Sequence, residues 1–206
     1  RQQGITVPAV TLHRFWTMLA HSHGQMWNAA DPARSMGLNE ATIRRYLDIL
    51  TGVFMVRQLQ PWHTNIKKRQ VTSPKIYIRD CGILHALLGL KTQTGLLGHP
   101  RCGASWEGYI IEEVIQSVKP DDVYFWATHQ GAEIDLVFTK GGRMYGIECK
   151  RADAPAMTPS MRIAMEDLKL ERIAVIYPGR KRYPLHNRIE VVPFEVITEG
   201  MKGIFG

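Results

Sequence analysis

The sequence predicts a two-part α/β (α+β) protein, helical in its first half and built on a mixed sheet in its second. Three observations predict it. Apolar residues recur at helical spacing up to Gly52, alternating strand-like runs follow residue 120, and Gly141-Gly142 sits between two such runs as a hairpin turn does. With 206 residues, 45% hydrophobic and 22% charged, the chain is globular in composition and can form one large domain or two small ones. No apolar run approaches the length of a membrane span, so a membrane partner is not expected. Cys81, Cys102 and Cys149 are odd in number and lack CxxC spacing, which points to a reducing, cytoplasmic setting rather than a disulfide framework or a structural zinc site. The N-terminal RQQGITV has no initiator Met and no apolar signal core, and reads as a segment of a longer protein. A net charge of +7 suits an anionic partner such as DNA, although a basic excess also serves solubility alone.

In the first half, Leu12, Phe15, Trp16 and Leu19 fall on one face of a helix over 12–27. A short segment with Pro32 near its start follows. Asn39 then caps a helix whose apolar face is Ile43, Leu47 and Leu50, with Gly52 at its end. Two strand-like runs, VFMVRQLQPWH and KIYIRD, flank the basic stretch Lys67-Lys68-Arg69. Three helices followed by two strands with a basic connection outline a winged helix-turn-helix over 1–98, in which the third helix enters the major groove and the wing touches phosphate. Thr42, Arg44, Arg45, Lys67, Lys68 and Arg69 are the candidate DNA contacts. A helical bundle used only for packing is the alternative. His21 and His23 point to different sides of a helix and are expected at the surface rather than on a metal.

In the second half, residues 99–206, a helix over 105–118 leads into strands at 123–127, 132–138 and 143–151. A helix around 158–168 and strands at 172–177 and 188–194 complete an order that suits a mixed sheet covered by helices. GHPRCGAS (98–105) has the glycine spacing of a phosphate loop, but Ala104 stands where the lysine belongs, so no nucleotide site is expected.

A two-residue turn at Gly141-Gly142 sets the register of the strands it joins. Lys140 then faces Arg143, Leu136 faces Ile147, and Asp135 faces Glu148, with Cβ atoms about 5 Å apart. On this reading Glu133 pairs with Lys150, while Ile134, Leu136, Phe138, Tyr145, Ile147 and Cys149 share the opposite, core face. Like charges facing each other across a ladder repel, and a divalent cation between Asp135 and Glu148 removes the conflict; a shared proton is the metal-free alternative. On the helix over 105–118, at about 100° per residue, Glu107 falls inside the apolar arc of Ile110, Ile111, Val114, Ile115 and Val118. An inward carboxylate needs a reason, either as a third acid of the site or in a buried salt bridge to an arginine. Glu112 and Glu113 lie outside the arc and are expected in solvent.

Asp135, Glu148-Cys149-Lys150 on the adjoining strand and Glu107 on the preceding helix resemble the PD-(D/E)XK nuclease superfamily, whose α-β-β-β-α-β core order suits residues 103–177. Ile134 replaces the usual proline before the first Asp. Residues 38–58, 73–88 and 106–151 are also similar to the C-terminal region, a domain of unknown function, of prokaryotic AAA-type ATPases. That resemblance implies a restriction-endonuclease-like second domain and a separate N-terminal P-loop ATPase module in the parent protein. It implies a Mg²⁺ or Mn²⁺ ion held by Asp135, Glu148 and the Cys149 backbone carbonyl, with Glu107 acting through water. Lys150 would orient or help deprotonate the attacking water, and DNA phosphodiester hydrolysis would follow. Arg151, Lys140 and Arg143 could neutralise the DNA backbone, or be solvated turn and strand-end charges. The competing reading is a module that binds DNA or protein and does not cut.

Overall fold

The computed structural model describes residues 7–62, 72–201 and 203–205. These form a mixed α+β protein with eight helices, a three-stranded sheet and a six-stranded mixed sheet. Lys67, Lys68 and Arg69 lie outside the described residues. Among the described residues no helix is long and apolar enough to cross a membrane.

The first half contains α1 (Ala9–His21), β1 (Gln25–Met26), α2 (Ala30–Met36), α3 (Glu40–Gly52), β2 (Val56–Leu59) and β3 (Lys75–Ile78). α1 stops well short of residue 27. Gly24 takes a positive φ of 74°, and Gln25 and Met26 turn away to pair with Ile76 and Lys75. The Asn39 side chain accepts the Thr42 N–H, satisfying a helix-end donor as a cap should. Phe15, Leu19, Trp27, Ile43, Tyr46, Leu47, Leu50, Val56 and Ile76 close one core. β3 is the central strand of this small sheet, and all four of its residues are buried.

Two short helices, α4 (Cys81–Leu87) and α5 (Gln93–Leu97), lead to α6 (Cys102–Val118). Asp80 and Thr92 cap the first two through side-chain oxygens, a signal present in the sequence but not read there. The large sheet then runs β4 (Asp122–Ala127), β5 (Glu133–Lys140) and β6 (Arg143–Cys149), antiparallel to one another. After α7 (Pro159–Asp167), β7 (Arg172–Tyr177) adds parallel to β6, β9 (Ile189–Pro193) adds parallel to β7, and β8 (Tyr183–His186) closes the edge. α8 (Glu195–Thr198) ends the described helices. One face of the sheet packs on α6 through Ile110, Ile111, Val114, Leu136, Phe138, Tyr145 and Ile147, and the other carries α7 over Ile134, Val137, Met161, Ala164 and Val175.

The Gly141-Gly142 turn has φ of 57° and 75°, as a type I′ hairpin requires, and Lys140–Arg143 and Leu136–Ile147 pair in the expected register. Strict alternation fails nearby. Tyr124 pairs with Val137 but Trp126 with Ile134, so Phe125 alone opposes both Asp135 and Leu136. This β-bulge sends Ile134 to the α7 face, away from Leu136 and Phe138.

α6 also faces the first half. Glu112 is buried and receives Arg57 through Nε and, at 3.0 Å, Nη2; Arg79 Nε donates to it at 2.9 Å. It is not the solvated charge its helical angle suggested, and Glu113 is half-buried. His23 is likewise buried rather than at the surface. Its Nδ1 accepts the Ile78 N–H at 3.0 Å, which leaves the proton on Nε2, 3.1 Å from the Ala104 carbonyl oxygen. Burial, the leading cause, lowers its pKa to about 4. A Cβ at Gly108 would lie 2.5 Å from His23 Nε2, so the helix can approach this closely only through glycine.

Candidate active site

The N-terminal part of α6, the bulged start of β5, the end of β6 and the central strand β3 meet at one cluster of charged side chains. Glu107 faces inward as its helical position predicts, but its partner is a lysine rather than an arginine. Lys75 Nζ donates to Glu107 Oε1 at 3.0 Å and also pairs with Glu133, and Tyr77 Oη donates to Glu107 Oε1 at 2.5 Å. Residues two apart on β3 project to the same side, which is how Lys75 and Tyr77 reach one carboxylate. Lys75 is 5% exposed, and its ammonium lies 5.6 Å from the centre of the Phe125 ring. Burial works against that ammonium, but Glu107, Asp135 and Glu133 outweigh it and hold its pKa above the ordinary lysine value.

The ladder between β5 and β6 ends at Leu136–Ile147, one pair short of the two acids expected to face each other. Asp135 Oδ2 accepts the Cys149 N–H at 2.7 Å instead. Asp135 keeps some exposed surface, yet the packing around its carboxyl pushes the pKa well above the usual carboxylate range. Glu107 and Glu148 add to that push, while Lys75 and the Cys149 N–H oppose it. Glu148 is buried, and burial raises its pKa against the pull of Lys150, whose Nζ lies 2.5 Å from Glu148 Oε1. The other oxygen, Oε2, is buried with no hydrogen-bond partner among the described residues. Glu133 therefore pairs with Lys75 and Lys150 with Glu148, not with each other as strict alternation required.

The structure thus brings Glu107, Asp135, Glu148 and Lys150 together and adds Lys75, Tyr77 and Glu133. Lys75 and Tyr77 were missed because KIYIRD read as a wing strand; a lysine beside apolar neighbours in a four-residue strand was the available signal. Thr42, Arg44 and Arg45 lie on α3, outside this cluster. Arg44 and Arg45 are exposed, and Arg44 Nη2 is 3.1 Å from Glu40. Lys140 donates to the Val118 carbonyl oxygen at the end of α6 at 3.0 Å, whereas Arg143 and Arg151 are exposed. The clefts of about 330 Å³ and 410 Å³ lie elsewhere, beside α7.

Among the described residues, no three His, Cys, Asp or Glu side chains are grouped to hold a metal ion. Mg²⁺ does not need such a trio, since it keeps several waters and takes one or two carboxylates. The unpartnered Oε2 of Glu148 and the desolvated carboxyl of Asp135 are hard oxygen donors of that kind. Oxygen donors of this chemical kind are the ones a hard divalent cation takes.

Two family models each match somewhat less than half of the chain. Residues 1–94 match the family described as Domain of unknown function (DUF8612), and residues 102–197 match Domain of unknown function (DUF4143). Uncharacterised proteins of Mycobacterium bovis and Mycobacterium tuberculosis are each 48% identical to it over 200 residues, covering 97% of this chain and 45% of the relative. The chain therefore spans less than half the length of these curated relatives. A crystal structure of a Vibrio cholerae protein aligns over 93% of this chain and 50% of its own, with 11% identity and a TM-score of 0.30, a level at which the two folds need not correspond.

Proposed function

We propose that this chain is the DNA-binding and nuclease-like region of a larger ATPase-type protein, and that its site hydrolyses DNA phosphodiester bonds with a divalent cation. The observation that carries the reading is the buried, unpartnered Oε2 of Glu148 beside the desolvated carboxyl of Asp135, with the Lys150 ammonium at the same opening of the β5–β6 hairpin. Desolvated carboxylates in excess are costly for a fold, and perturbed carboxyls of this kind concentrate at functional sites. The winged-helix and PD-(D/E)XK-like descriptions of the two halves belong to the same reading.

Asp135 and Glu148 would hold Mg²⁺ or Mn²⁺, with the Cys149 carbonyl as a further oxygen. The cation would supply charge stabilisation at the scissile phosphate. Lys150, partly exposed, would orient the attacking water or neutralise a phosphate oxygen. Arg44 and Arg45 on α3 would bind the DNA backbone. Glu107, engaged by Lys75 and Tyr77, is left out of this ligand set.

The second reading, a region that binds DNA without cutting it, is favoured by one observation: an ammonium group already sits among the acids. Incubation with plasmid, linear and branched DNA in Mg²⁺ or Mn²⁺ separates the two. Cleavage abolished by both Asp135→Ala and Lys150→Ala supports hydrolysis at this site. Cleavage that survives both substitutions contradicts it, and binding without cleavage selects the second reading.

A further inference from the structure

Among the described residues the cluster is only half neutralised from within. Four carboxylates, on Glu107, Glu133, Asp135 and Glu148, interact with one another and with two ammonium groups, on Lys75 and Lys150. With every group ionised, four carboxylates against two ammonium groups among the described residues leave a formal excess of two negative charges, which one divalent cation closes and two would exceed. The compensation is also uneven. Glu107 and Glu133 share Lys75, and Glu107 takes the Tyr77 hydroxyl as well, whereas Asp135 holds one backbone N–H and Glu148 keeps a buried oxygen without a partner.

Lys75 is not a side chain that swings away. Its backbone lies in the central strand of the small sheet, paired with Met26 on one side and Leu59 on the other. Its side chain is covered by Phe125 and the acids it serves. An ammonium carries one positive charge and no acceptor, so it occupies a cation position without offering anything to a metal.

We infer that Lys75 is a built-in counter-ion that takes the Glu107–Glu133 side of the cluster, removes Glu107 from the ligand set and limits the site to one divalent cation held by Asp135 and Glu148. The inference rests on the nuclease reading for the nature of the ligand and deepens it by fixing the number of ions and the residues that bind them. It also makes the first half of the chain part of the active site, because the residue that sets its charge comes from β3.

Mn²⁺ titration followed by the paramagnetic resonance of the free ion tests this without any DNA. The wild-type chain takes one Mn²⁺. Glu148→Gln weakens that binding by about tenfold or more, the loss expected for a ligand. Glu107→Gln leaves it unchanged, and Lys75→Met admits a second Mn²⁺ per chain. If Lys75→Met fails to fold, the contrast between Glu107→Gln and Glu148→Gln still decides. Mn²⁺ bound by the wild type and lost in Glu107→Gln overturns the inference alone, as does a folded Lys75→Met chain that still takes one Mn²⁺. A wild-type chain that binds no Mn²⁺ overturns the inference together with the nuclease reading.

Discussion

Two charged clusters join α6 to the first half of the chain, and they are built on opposite principles. At Glu112 one buried carboxylate meets two arginines, and both of its oxygens are engaged. At Glu107 and Asp135 four carboxylates meet two lysines among the described residues, which leave one buried oxygen without a donor. The first arrangement satisfies its charge, and removing one partner would leave the others buried without a counter-charge. Among the described residues the second holds an excess that folding alone does not reward, so the same helix meets a fully paired carboxylate at one point and an unevenly paired cluster at another.

The largest expected effect breaks the fastening. Glu112→Gln leaves Arg57 and Arg79 partly buried without their counter-charge and lowers stability by about 3–4 kcal/mol, read as a shift in the urea midpoint. Next comes the neutral contact between the two clusters, where His23 sits against Gly108. Its pKa is about 4 in the folded chain against an ordinary 6.5, so between these values the unfolded chain binds a proton that the native one refuses. Its contribution is fully present above pH 6.5 and is lost as pH falls toward 4, about 3 kcal/mol in all. Unfolding curves at pH 7 and pH 4.5 measure that loss, and His23→Gln should flatten the difference.

Part of the fold was legible in the sequence, and the failures have physical causes. Gly141-Gly142 set the hairpin register correctly because a tight turn admits few pairings. Glu107 was read as inward because helical periodicity is strong over a long element. The bulge opposite Phe125 has no signature in apolar alternation, so Ile134 was placed on the wrong face and Glu133 with the wrong lysine. Glu112 looked solvated because a helix face packed against arginines has the same polar composition as one packed against water. Lys75 reaches Glu107 from a strand that the sequence assigned to the other half, and no local pattern predicts a contact of that range.

The smallest effect is the most informative, because its sign runs against the usual cost of mutating a buried residue. The native chain holds the Asp135 proton more tightly than the unfolded one, so ionisation of this carboxyl costs stability as pH rises above its ordinary range. Asp135→Asn keeps an oxygen for the Cys149 N–H and removes the repulsion from Glu107 and Glu148. Urea unfolding of this variant at pH 7, beside Glu112→Gln, should show a gain of about 1 kcal/mol at Asp135 while Glu112→Gln shows a loss. A loss at both sites would mean that the acid cluster is a fastening like the other, and would contradict the account of a site held ready for a cation.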